Sequence, residues 1–168
     1  MLLKNNYVII DFPDYNSDIG KLIKLKLYEK QFNPLSLQLL FSCERLSKKN
    51  KLIALSENNV VISTRYKYSA IAYGIARGLD RELMYLLEKD MPEPDLKFFI
   101  DITPEESLNR AINPDNIEKD KLLLYKVREE YMNIVSNDSS WIVINGMEKL
   151  DNIINEIENI IKRNNIYG

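Results

Sequence analysis

Arg65 is the first residue whose type and position suggest chemistry. It follows Val60-Val61-Ile62-Ser63-Thr64, a β-branched run that reads as a buried parallel strand. Ligands of open α/β sheets bind at the carboxyl ends of strands, and a planar guanidinium placed there suits phosphate. Arg65 is therefore read as a phosphate clamp, beside the plainer reading of a surface Arg in a loop. The second constellation is Phe41-Ser42-Cys43-Glu44-Arg45. Phe41 and Arg45 are four apart and share a helix face. A Phe ring can stack on a flat base, and an Arg one turn away can donate to a ring carbonyl. The same spacing fits a core ring beside a solvated Arg paired with Glu44. No glycine-rich phosphate loop ending in Lys and a hydroxyl residue is present. The nearest string runs from Tyr15 through Gly20-Lys21-Leu22. Tyr15 stands where its first glycine belongs, and Leu22 has no hydroxyl for a metal.

Composition narrows the chemistry further. The 168 residues contain no His, which excludes Ser-His-Asp and Cys-His catalysis and His-based zinc sites. The single Cys43 rules out an internal disulfide and a Cys-only metal site. A net charge of −2 supplies no basic field for a nucleic-acid partner. No apolar run is long enough to span a membrane and no signal-peptide pattern opens the chain, so a cytosolic protein with no membrane partner is expected. Hydrophobic residues at 45% and charged residues at 29% are ordinary for a globular protein. One domain over residues 1–168 is expected.

The elements that must position these residues alternate. Residues 7–12 read as a strand ended by Pro13, and a helix follows from about Asp18. Asn33-Pro34 is a helix start, with Asn as N-cap and Pro first in the helix. That helix is expected to turn Leu39, Leu40, Cys43 and Leu46 inward. The strand at Val60 leads to a helix from Tyr68 to Arg77 and another starting at Asp80. Residues 96–102 read as a strand, and Thr103-Pro104-Glu105-Glu106 as a capping box opening a short helix. A polar segment near Asn113 is a lid candidate, about residues 111–118, beside the plainer reading of a loop. A long helix over about 118–135, a strand at 141–144 and an amphipathic helix carrying Leu150, Ile153, Ile154, Ile157, Ile160 and Ile161 complete the chain. Strands alternating with helices imply an α/β fold with a three-layer parallel sheet, helices covering both faces.

Four segments together resemble the thymidylate kinase family. Phe12-Pro13-Asp14 through Gly20-Lys21-Leu22 is similar to the family's segment after its second strand. Leu40-Phe41-Ser42-Cys43-Glu44-Arg45 resembles its base-binding helix. Thr64-Arg65-Tyr66 with Ser69, Ala72-Tyr73 and Arg77-Gly78-Leu79-Asp80 resembles its Asp-Arg-Tyr segment and the helix beyond. Pro94-Asp95-Leu96 is similar as well. Order and spacing agree over nearly the whole chain, and the eukaryotic and poxviral branch looks nearest. The resemblance implies a P-loop nucleoside-monophosphate-kinase-like fold and ATP- and Mg²⁺-dependent phosphorylation of dTMP to dTDP. It implies that Phe41 stacks on thymine, Arg45 bonds its carbonyl and Arg65 holds the transferring phosphate. Tyr73 would pack against the sugar, Ser69 would line the base pocket, and Phe12 with Pro13 would shape its floor.

The departures lie on the phosphate side. The family's first strand and phosphate loop have no counterpart in these residues, and Met1–Asn6 reads like the end of the helix that follows that loop. The family Asp before Arg65 is Thr64. An Arg that often follows Phe-Pro is Tyr15. The lid's Asp-Arg-aromatic-Glu pattern appears as Asp115-Asn116-Ile117-Glu118. No ATP phosphate loop and no metal ligand set is identified, so ATP and Mg²⁺ are implied by the resemblance alone. Full activity by this chain alone is not expected; a catalytically inactive dTMP-binding homologue or a structural partner of an intact kinase subunit is the alternative. The strands at Val60 and Leu96 would lack a shared neighbour. An upstream segment, a second polypeptide, or direct pairing of those two strands would each complete the sheet, as would residues 7–12 in the central place. The helices at Asn33 and Tyr68 also suit a homodimer.

Overall fold

The computed structural model describes residues 7–28, 33–112, 114, 117 and 119–164. Its elements run β1 (Tyr7–Asp11), α1 (Asp18–Leu27), α2 (Pro34–Ser47), α3 (Lys49–Ser56), β2 (Val60–Thr64), α4 (Lys67–Ala76), α5 (Arg81–Glu88), β3 (Lys97–Asp101), α6 (Pro104–Arg110), α7 (Lys121–Ser136), β4 (Trp141–Asn145) and α8 (Leu150–Arg163). Local chemistry sets most helix starts. The Asn33 side chain accepts from the N–H groups of Leu35 and Ser36, with Pro34 first in the helix. Ser17, Asp80, Thr103 and Asp120 accept in the same way from Gly20, Leu83, Glu106 and Leu123. Each such cap contributes about 1 kcal/mol.

The fold is α/β with parallel strands, as expected. β1 pairs with β2 in parallel, from Tyr7↔Val60 to Asp11↔Thr64. β3 pairs with β4 in parallel, from Lys97↔Trp141 to Asp101↔Asn145. Among the described residues the two ladders are not joined. β2 does not pair directly with β3, and β1 does not take the place between them. Instead, a cavity of about 900 Å³ is lined by both strands.

The main core packs α4 against α5 and α7, with Ile71, Ala72, Met84, Val127 and Ile134 buried. A Cβ at Gly74 would lie 2.2 Å from the Met84 sulfur, so glycine is what lets α4 and α5 approach this closely. A second cluster joins α1 to α2 through Ile23, Leu27 and Leu37.

The expected inward face of α2 is corrected. Leu39, Cys43 and Leu46 are exposed, while Leu37, Gln38, Ser42, Glu44 and Arg45 are buried. Apolar periodicity misleads here because Ser42 and Arg45 are buried against Glu88, and Glu44 against Lys48 and the Asp14 N–H. In α8, Ile153 is buried and Ile157 and Ile161 line the large cavity, while Leu150 and Ile154 stay exposed. Met1–Asn6 and lid positions 113, 115, 116 and 118 lie outside the described residues. No described helix is long and apolar enough to cross a membrane.

Candidate functional site

Three pieces of chain converge at the carboxyl end of β2. The first is the turn after β1, where Phe12 is 2% exposed and its ring centroid lies 5.7 Å from that of Tyr66. The second is α2, which presents Gln38, Phe41 and Arg45 at i, i+3 and i+7, one helical face. The third is the β2–α4 turn. Arg65 there has φ of 53°, a left-handed conformation that costs a non-glycine residue about 1–2 kcal/mol. α4 then places Ser69, Tyr73 and Arg77 four residues apart. Phe12, Phe41, Arg45, Arg65, Ser69 and Tyr73, all six residues singled out from the sequence, line one cavity of about 40 Å³. That is room for about one water. Gln38, Tyr15 and Arg77 share its walls.

Arg45 does not pair with Glu44. Its Nε donates to Glu88 Oε2 at 2.9 Å and its Nη2 to Glu88 Oε1 at 2.6 Å. The Ser42 hydroxyl donates to the same Oε1 at 2.6 Å. Both charged side chains are buried, and the two bonds to Glu88 engage Nε and Nη2. The bidentate fork thus fixes the plane of Arg45. Glu88 was not legible from the sequence: it lies 43 residues from Arg45, and no local pattern links them. Gln38 was also missed, although its i, i+3, i+7 spacing with Phe41 and Arg45 was a usable signal. It is 1% exposed, and its Nε2 has no partner among the described residues.

Glu44 has another task. Its Oε1 accepts from the Asp14 N–H at 3.1 Å and pairs with Lys48, which also lies 3.4 Å from Asp14 Oδ2. This ties the β1–α1 turn to α2. The Asn16 N–H, joined by Lys48, holds the Asp14 carboxyl below its usual range. Burial pushes the Tyr131 hydroxyl, beside Ser69, up to about 12. The Tyr131 ring stacks on Phe99 at 4.8 Å.

Thr64, where a carboxylate was expected from the resemblance, donates its hydroxyl to Asp11 Oδ1 at 2.6 Å. The two residues are register partners at the strand ends, so Asp11 supplies the carboxylate there. Among the described residues no three His, Cys, Asp or Glu side chains cluster as metal ligands. The described residues show no site for ATP or its Mg²⁺.

Parallel strands joined by helices, with a cavity at a strand's carboxyl end, define an α/β protein with a strand-end ligand site. The sequence model of the family described as Thymidylate kinase matches residues 1–157. The thymidylate kinase of Dictyostelium discoideum is 32% identical over 152 residues, covering 89% of this chain and 68% of that protein. A probable thymidylate kinase of Methanosphaera stadtmanae is 33% identical over 152 residues, covering 87% and 77%. The solved structure of thymidylate kinase from Candida albicans matches with a TM-score of 0.80 at 23% identity, covering 94% of this chain and 80% of that one. The chain belongs to the thymidylate kinase family.

Proposed function

We propose that the cavity between α2, α4 and the β1–α1 turn binds dTMP. One observation carries this reading: a ring, Phe41, and a guanidinium, Arg45, oriented by Glu88, meet a strand-end Arg65 in one cavity. Phe41 stacks on the pyrimidine, and Arg45 Nη1 donates to a ring carbonyl. Arg65 holds the phosphate, Tyr73 packs against the sugar, and Ser69 and Phe12 complete the wall. The nucleotide is larger than the cavity of about 40 Å³, so binding opens the walls.

The family reaction transfers a phosphoryl group from ATP to dTMP with Mg²⁺. Its barrier is lowered by positioning and by cations around the transferring group. Here Arg65 is the described residue at that position, within one cytoplasmic domain. A second reading is dTMP binding without turnover by this chain alone. ADP release decides between them. Catalysis by this chain gives ADP that requires both dTMP and Mg²⁺. Binding alone gives saturable dTMP affinity with no ADP above background, and a purely structural partner of a kinase subunit gives neither.

A homodimer is the companion proposal. Leu39, Cys43 and Leu46, at i, i+4 and i+7, form an exposed strip on α2 that the fold leaves uncovered. Concentration-dependent sedimentation reads it.

A further inference from the structure

Gln38 sets a problem that the packing of α2 does not solve. Among the described residues lining the nucleotide cavity, it alone carries a buried side-chain polar atom, Nε2, with no hydrogen-bond partner. The residue is 1% exposed. Its Cδ lies 3.6 Å from the position a Cβ on Gly74 would take, so the amide is seated against α4 where that helix has no side chain. Ser42 and Arg45, one and two turns further along α2, are both met by Glu88. An amide donor left unmet in the interior has given up its hydration for nothing, and an apolar side chain of the same length avoids that cost. Such a group calls for an explanation, and its place in the cavity wall supplies one.

Phe41 lies three residues after Gln38 and four before Arg45, all on one helical face. The two polar side chains therefore flank the ring, with about 10 Å of helix axis between their Cα atoms. A base lying on Phe41 meets a donor from each side. A pyrimidine-2,4-dione offers the matching pattern, with one carbonyl acceptor on either side of its N3–H. The C2 carbonyl adjoins the ring nitrogen that bears the sugar. Gln38 sits beside Gly74, the residue after Tyr73, which the nucleotide reading places against the sugar. We infer that Gln38 is a base-reading residue, its Nε2 donating to the C2 carbonyl of the bound pyrimidine while Arg45 takes the C4 carbonyl. This rests on the dTMP reading of the cavity and adds a second point of recognition to it. The site then demands an acceptor at C2 as well as at C4, and the two bonds hold the ring in one orientation over Phe41.

The test uses the full chain, titrated calorimetrically with dTMP and with its 2-thio derivative, in which a weakly accepting sulfur replaces the C2 oxygen. The parent chain is expected to bind dTMP about tenfold more tightly, the weight of one neutral hydrogen bond. Gln38→Met keeps the length of the side chain and removes both polar atoms. It should bind the two ligands alike, near the parent's affinity for the thio compound. It should also melt at or above the parent, since no unmet amide is then buried. The inference is overturned if the parent binds both ligands alike, or if Gln38→Met still prefers dTMP as the parent does. A Gln38→Met chain that melts well below the parent overturns it too, because the amide then serves the α2–α4 contact. In those three cases dTMP still binds the parent, and the nucleotide reading stands. If the parent binds neither ligand, that reading falls and takes this inference with it.

Discussion

Replacing Phe41 with Ala is expected to weaken dTMP binding by about 10- to 100-fold, since stacking of an aromatic ring on a base contributes about 1–3 kcal/mol. The ring is half-buried on α2, beside Leu37 and Leu27, and forms a wall of the cavity shared with Arg45. Truncation therefore removes two things at once, a stacking surface and part of the α1–α2 packing. Phe41→Leu separates them. Leu restores most of the apolar volume but offers no flat face, so it should recover thermal stability and leave dTMP affinity low. Calorimetric titration with dTMP beside a thermal melt gives both readings. If Phe41→Leu binds dTMP as the parent chain does, the base does not stack there, and the nucleotide reading of the cavity fails with it.

Which parts of this architecture the sequence announced follows from the range of the interactions that set them. Asn33 and Thr103 were legible as helix starts because a cap acts over three residues. The strand at Val60 was legible because a β-branched run between turn residues needs no distant information. That Phe12, Phe41 and Tyr73 line one cavity was legible because the family pattern fixes their order, and folding brings them together across 61 positions of sequence. The buried face of α2 was not. Cys43 and two leucines suggested an inward stripe, yet the helix buries Ser42, Glu44 and Arg45 instead. Those side chains are buried because Glu88, Lys48 and the Asp14 N–H meet them. Such pairs are invisible to periodicity. The pairing of strands into two separate ladders was foreseeable only as a set of alternatives, since each edge depends on what lies beside it in space.

The Arg45–Glu88 pair should show the largest stability effect in the molecule. Two opposite charges are buried together, with side chains 3% and 1% exposed, and the carboxylate accepts three hydrogen bonds from Arg45 and Ser42. Removing one partner of such a pair leaves the other charge buried and costs about 3–5 kcal/mol. Glu88→Leu is thus expected to lower the melting temperature by about 10 °C, given about 2–4 °C per kcal/mol at this chain length. Removing both charges is different. Arg45→Met with Glu88→Leu replaces the pair by apolar groups of similar size, which is often neutral or stabilising. The double variant should therefore melt close to the parent chain. It should nevertheless bind dTMP poorly, because no Nη1 remains to donate to the base. That combination, stability regained and affinity lost, would assign Arg45 to the ligand and Glu88 to holding Arg45 in place. Recovery of both in the double variant would mean that the pair serves packing alone, and that another cavity residue reads the base.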